Sequence, residues 1–145
     1  MKLVLTEDPD CPDIEVSILC PAIDGRVQAL IAAVNALELK LLGEADGDTR
    51  IVPAASVLYI ESVDGRTFLY REDAVLESRL RLYELEDLLA GTEFIRASKS
   101  ALVNFAFVRG LRPHGNGRLQ LILANGERLI ASRQYAPAIR RKVGL

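Results

Sequence analysis

The sequence holds no tryptophan, one histidine and two cysteines among its 145 residues, and each scarcity removes a class of protein. The single histidine, His114, stands between Pro113 and Gly115. That setting reads as a solvated turn residue, not a general acid or base. Cys11 and Cys20 make neither a disulfide framework nor a metal-ligand pattern, and fit free thiols in a reducing compartment. No cluster has metal-ligand spacing, and no glycine-rich strand-to-helix loop is present to cradle a phosphate. No serine or cysteine has a base nearby in sequence. An enzyme is therefore not expected, and neither is a metal, a cofactor or a small-molecule substrate. Long apolar runs are also missing. The longest candidate, Val27 to Leu42, is broken by Gln28, Asn35, Glu38 and Lys40, short of the roughly 18 apolar residues that would suggest a membrane span. The N-terminus turns acidic at Glu7 and Asp8, too soon for a signal peptide. The expected compartment is the cytoplasm.

Acidic residues are scarce in one place only. Residues 96–145 carry 10 basic side chains and a single acid, Glu127, for a net of +9. Residues 1–48 carry 3 basic and 10 acidic side chains, a net of −7, and residues 49–95 a net of −4. The overall net charge of −2 therefore hides a basic third suited to a polyanion.

Patterning divides the chain at the same places. Lys2 to Thr6 reads as a short strand, and Glu7 to Asp13, with Pro9 and Pro12, as a loop. Ile14 to Cys20 starts with the alternation of a half-buried strand. Asp24 is placed to cap a helix running to about Leu39, with Val27, Leu30, Ile31, Val34 and Leu37 on one face. Gly43 to Asp48 reads as an acidic, glycine-bearing linker. The expected units are thus 1–48, an acidic β-β-α segment, and 49–145. Beyond the linker, Val57 to Ser62 and Arg66 to Arg71 flank Asp64-Gly65, a dipeptide suited to a hairpin turn. Leu80 to Leu89 is helical, with Gly91 as its C-terminal stop. Val108 to Arg112, Leu119 to Leu123 and Arg128 to Ser132 are strands, the last two joined by Asn125-Gly126. A short helix begins near Pro137.

The chemistry concentrates in two stretches. The first is Phe94-Ile95-Arg96-Ala97-Ser98-Lys99-Ser100-Ala101-Leu102-Val103-Asn104. Phe94, Ile95, Leu102 and Val103 are core residues, and Asn104 is a cap that bonds turn backbone. Between them an extended loop presents Arg96, Ser98, Lys99 and Ser100, groups that bond phosphate oxygens or reach guanine in the major groove. Arg96 has a second reading, as a scaffold residue paired with Glu61 or Glu93. The second stretch is Ser132-Arg133-Gln134-Tyr135 at a strand end. Arg133 is the best candidate for a bidentate base contact, while Tyr135 reads as a packing residue.

These two stretches, in this order, resemble the LytTR DNA-binding domain. Its pattern is Phe-(Ile/Phe)-Arg-x-(His/Ser)-(Arg/Lys)-Ser-x-x-Val-Asn followed by Ser-Arg-x-Tyr. Val57 to Ser62 resembles that family's opening strand, and Leu82 to Glu86 its helix. The resemblance spans roughly residues 50 to 145. It implies a mainly β fold, α+β overall: small antiparallel sheets with short helices, here preceded by the β-β-α segment. It also implies that loops, not a recognition helix, enter successive major grooves of double-stranded DNA. The base-reading positions it implies are Gly65 and Arg66 in the first hairpin, Ser98 and Lys99 in the central loop, and Arg133. Phosphate contacts are expected from Arg96, Ser100, Asn116, Arg118, Ser132, Gln134, Arg140 and Arg141. The Ser98-Lys99-Ser100 version resembles a subgroup without a receiver domain. In that subgroup the gene often neighbours one for a small membrane protein, which makes such a partner conceivable.

The expected function is a sequence-specific transcription regulator, acting as a homodimer in which residues 1–42 bury their apolar helix face. The alternative is a β-rich module that binds an acidic protein through its basic third. RNA binding ranks third, because Phe94, Phe105, Phe107 and Tyr135 form no recognisable stacking platform.

Overall fold

Asp24 starts the first helix as its spacing suggests: its carboxylate accepts from the Val27 N–H at 3.1 Å, and helix α1 spans Gly25–Leu37. The computed structural model describes all residues from Met1 to Leu145. Ten strands and two further helices follow α1. In chain order they are β1 (Lys40–Ala45), β2 (Asp48–Pro53), β3 (Val57–Val63), β4 (Arg66–Arg71), β5 (Val75–Ser78), α2 (Leu82–Leu88), β6 (Phe94–Ser98), β7 (Ala101–Asn104), β8 (Val108–Pro113), β9 (Leu119–Leu123), β10 (Arg128–Ala131) and α3 (Ala136–Lys142).

The strands form two antiparallel sheets. The larger has the order β2-β1-β5-β4-β3-β7-β6, and the smaller β10-β9-β8. Direct cross-strand partners share a face, so the register reads out one continuous row. Leu76 faces Leu69, Leu69 faces Ile60, Ile60 faces Leu102, and Leu102 faces Arg96. The four aliphatic members are buried against Leu82, Leu85 and Leu89 on and beside α2. The opposite face of the large sheet, with Tyr59, Ala97 and Val103, packs on Leu119, Leu121 and Leu123 of the small sheet and on Ile139 of α3. Tyr59 and Tyr70 stack there at 4.3 Å. The central sheet therefore has a helix on one side and a second sheet plus α3 on the other, and its buried row ends at a guanidinium.

Asn104 is the cap its sequence position suggests. Its amide donates to the Val57 carbonyl at 2.9 Å, and its oxygen accepts from the Ala106 N–H at 3.1 Å.

Two expectations are corrected. Gly43 to Asp48 is not a linker but the turn end of a hairpin, Lys40 to Pro53, that belongs to the large sheet. Leu42 pairs with Ile51 and Ala45 with Asp48, while Asp46 and Gly47 take the positive φ of a tight turn. Leu41 and Val52, opposite one another, are buried in the core. That burial outweighs the acidic, loop-like composition of the turn. The two expected strands at Lys2–Thr6 and Ile14–Cys20 do not form within the chain. Only α1 of the β-β-α segment is present. A strand needs a neighbour for its N–H and C=O groups, and no strand of either sheet pairs with these residues.

The hairpin reading makes Gly43 a packing position. A Cβ added there would lie 2.7 Å from the Leu76 Cβ. Gly43→Ala is expected to cost about 1–3 kcal/mol by overpacking, read from the urea midpoint. A change within ~0.5 kcal/mol, the norm for a surface site, would return Gly43 to a linker.

Candidate nucleic-acid interface

The two motifs meet because the ladder between β6 and β7 is irregular. Its register shifts between Arg96 and Ser98, so Ala97 has no opposite number on β7. Its carbonyl instead accepts from the Ser132 N–H at 2.9 Å, fastening the end of β10 to β6. A second backbone bond, from the Ser62 N–H to the Ser100 carbonyl at 2.8 Å, fastens the end of β3 to the turn between β6 and β7. Three loops thus emerge at one end of the structure: the 64–65 turn, the 99–100 turn and residues 132–134.

Between the last two lies an open cleft of about 550 Å³, lined by Ser98, Lys99, Ser100, Ser132, Arg133 and Gln134. Six candidate residues from two separate stretches therefore converge. The cleft holds two cations, three hydroxyls and an amide, with no carboxylate. The chain's ion pairs use Arg66, Arg79, Arg96 and Lys142 and leave Lys99 and Arg133 without a counter-ion. Ser100 donates its N–H to the Ser98 hydroxyl at 3.2 Å, a local turn that holds the loop compact. Such a surface can donate several charge-assisted hydrogen bonds to an anion.

The remaining candidates are distributed unequally. Gly65 and Arg66 adjoin the cleft through the Ser62–Ser100 bond, but Arg66 is engaged. Its Nε and Nη2 donate to Glu77 at 3.0 and 2.6 Å, and its guanidinium lies 5.3 Å from the Phe68 ring centroid. Arg118 folds back on its own turn, towards the carbonyls of Gly115 and His114. Asn116 has positive φ in that turn, which borders the cleft through Gly117. Arg140 and Arg141 lie in the last turn of α3 and do not line the cleft.

Arg96 is the main departure. Its ion-pair partner is neither Glu61 nor Glu93 but Glu86 on α2, at 2.9 Å from Nε to Oε2 and 3.1 Å from Nη2 to Oε1. Its Nη1 donates to the Lys99 carbonyl at 2.7 Å. The side chain is only 16% exposed, so Arg96 faces the protein, and a phosphate has little access to it. The row position explains this, since Leu102 is its cross-strand partner and α2 covers that face. Sequence reasoning also passed over Glu86, Glu77 and Gly117. Only the spacing of Glu86 on the helix facing the sheet could have signalled any of them.

The Arg96 hydrogen bonds hold the Glu86 carboxyl below the ordinary carboxylate range, outweighing its partial burial. A depressed folded-state value means the stabilisation is complete above the ordinary glutamate pKa of about 4.3. It is lost as pH falls through the lower folded value. Glu86→Gln is therefore expected to lower stability near neutral pH and to flatten the loss of stability below about pH 4, measured by urea midpoints across pH. An acid limb identical to that of the parent would remove Glu86 from this role.

A profile of the LytTr DNA-binding domain matches residues 47–144. Uncharacterized HTH-type transcriptional regulators of Staphylococcus aureus strains NCTC 8325 and COL are each 29% identical over 147 residues, covering 100% of this chain and 99% of theirs. A LytTr DNA-binding domain from Bacillus cereus aligns with a TM-score of 0.69 at 28% identity, covering 73% of this chain and 97% of that domain. The helices here are not a helix-turn-helix pair, whatever the relatives' names carry. Five strands separate α1 from α2, and five separate α2 from α3, whereas that motif joins two helices by a short turn.

Proposed function

The chain belongs to the LytTr DNA-binding domain family, and from that premise we propose how this DNA-binding transcription regulator holds its operator: the cleft between the 98–100 and 132–134 loops is the base-reading centre. The observation that carries this reading is the convergence of Lys99 and Arg133, both free of counter-ions, in a cleft with no carboxylate. Arg133 follows a strand end that fixes its backbone, and its planar fork suits guanine O6 and N7. Lys99 and Ser98 act beside it, and the Gly65-Arg66 hairpin reads an adjacent position once Arg66 leaves Glu77. Ser100, Ser132, Gln134, Asn116 and Arg118 contact phosphates at the rim, and Arg140 and Arg141 contact them further out. Arg96 holds the 99–100 turn in place through the Lys99 carbonyl. The same cleft suits an anion better than nucleophilic catalysis, since no histidine or carboxylate lines it beside its three serines. No helix is long and apolar enough to cross a membrane, and a DNA ligand supports reading the protein as cytoplasmic.

Binding titrations against a selected duplex and a scrambled one, at fixed salt, separate base reading from charge. Arg133→Ala is expected to cost about 1–3 kcal/mol on the selected site and far less on the scrambled one. Arg140→Ala and Arg141→Ala should weaken both duplexes alike, with Lys99→Ala between these extremes. Equal losses on both duplexes for Arg133→Ala would reduce the cleft to part of a basic surface.

The assembly is a homodimer built through the N-terminal segment. Residues 1–24 form no helix or strand, and the two strand-patterned stretches leave Leu5 85% and Ile14 88% exposed. On α1 the expected inner face is only partly covered: Val27 is buried and Leu30 and Val34 are half-buried, but Ile31 and Leu37 are exposed. Each copy thus carries strand-forming segments without a partner and, at β2, an edge strand open on one side. Two copies related by a two-fold axis can satisfy both needs reciprocally, and their clefts would face half-sites about 34 Å apart or a multiple. Sedimentation at micromolar concentration should give a dimer for the full chain and a monomer for residues 25–145. A monomeric full chain, free and on a two-site duplex, would remove this assembly.

A further inference from the structure

The turn that joins β8 to β9 carries two glycines in the left-handed region, Gly115 at φ +77 and Gly117 at φ +76. Their surroundings differ. Nothing lies within 4 Å of the Cβ that Gly115 lacks. The Cβ that Gly117 lacks would lie 2.9 Å from the Arg133 Cγ and 3.1 Å from its Cδ. The aliphatic stem of Arg133 therefore rests in the space left by the missing side chain. We propose that Gly117 is a specificity-determining positioning residue: its bare backbone seats the Arg133 stem and so aims the guanidinium at a base edge.

The physical case follows from what must yield. A Cβ at 117 cannot keep its distance from Cγ and Cδ, and the backbone of a tight hairpin is stiff. Arg133 is exposed and makes no ion pair, so its stem is the part that moves. Rotation away from the turn costs the fold little, because no buried contact breaks. It costs recognition more, because bidentate contact with guanine needs both nitrogens of the fork placed together. A stem without its seat also regains rotamer freedom that must be given up on binding. Phosphate contact tolerates such freedom and base contact does not, so the loss falls on sequence discrimination rather than on affinity at large. This inference rests on Arg133 as the base reader, and goes beyond it in naming what aims that side chain.

The two glycines supply their own control. Ala at either position meets the same left-handed penalty, but only Gly117→Ala also displaces Arg133. The experiment uses the full chain in five forms: parent, Gly115→Ala, Gly117→Ala, Arg133→Ala and the Gly117→Ala/Arg133→Ala double variant. Each is titrated against the selected and the scrambled duplex, and its melting temperature is recorded. The ratio of the two affinities is the readout. Arg133→Ala should lower it about 5–150-fold. Gly117→Ala should lower it several-fold, Gly115→Ala should leave it near the parent value, and both alanines should melt alike. The double variant should fall no further than Arg133→Ala alone.

Equal ratios for Gly115→Ala and Gly117→Ala would overturn the proposal while leaving Arg133 as the base reader. A further drop in the double variant would overturn it too, since Gly117 would then act apart from Arg133. No effect of Arg133→Ala on the ratio would remove the reading beneath it, and the proposal with it. If alanine unfolds the turn, Gly115→Asn and Gly117→Asn repeat the comparison with a residue that adopts positive φ more readily, and the same outcomes apply.

Discussion

Arg96 stands where the buried row of the large sheet would otherwise take another aliphatic residue. Leu76, Leu69, Ile60 and Leu102 run in register across four strands, and the fifth strand offers a guanidinium to the same covered face. A charge in that position is tolerable only with a partner. Glu86, on the helix that covers the row, supplies two bonds, and the Lys99 carbonyl accepts a third. One side chain therefore joins α2 to the sheet and the sheet to the turn that presents Lys99. Beside it the ladder slips at Ala97, and the freed carbonyl captures Ser132. The end of the molecule proposed to read DNA is thus assembled by one ion pair and one irregularity in register. Removing the positive charge would leave Glu86 without its partner and the turn without its anchor.

Much of this was legible in the sequence, and what was not has identifiable causes. Asp64-Gly65 and Asn125-Gly126 announced their hairpins. Asp46-Gly47 is the same kind of dipeptide, yet the acidic residues around it suggested a linker. The buried pair Leu41 and Val52 decided otherwise, and that pairing is visible only once the partner strand is known. The alternation at Ile14, Val16 and Ile18 was also legible, but alternation specifies a face and not a partner. The candidate site was legible as residue types. Its grouping into one cleft depends on the Ala97–Ser132 bond, which no local pattern encodes. The partner of Arg96 was misjudged for the same reason, since choosing between Glu61, Glu86 and Glu93 requires the register.

Charge and geometry divide the work of DNA recognition. The net of +9 over residues 96–145 attracts any duplex and sets a steep salt dependence without choosing among sequences. Choice requires groups held in place, because a mobile side chain loses much of what a directed hydrogen bond offers. The loops here emerge from two packed sheets and are pinned by backbone bonds to neighbouring strands, so little ordering remains for the moment of binding. The acidic N-terminal segment works in the opposite sense. Its charge disfavours contact with DNA, which agrees with the proposed role of its exposed apolar side chains in assembly.

The cations at this end are not equivalent, and their pairing ranks them. Arg66 is held by Glu77 in a bidentate pair, and each depends on the other: the carboxyl of Glu77 is held low and the guanidinium of Arg66 is held charged. DNA can recruit Arg66 only by breaking that pair, and it leaves Glu77 near the phosphates as a repelling charge. A solvent-exposed pair is worth little in itself, so the exchange is allowed, but it subtracts from whatever the new contact contributes. Lys99 and Arg133 have no such pair to break, and their gain on DNA is reduced only by lost hydration and motion. The unpaired cations of the cleft should therefore supply most of the discrimination. In the proposed reading the first hairpin is then an adjustable contact, whose weight depends on how strongly the local DNA competes with Glu77.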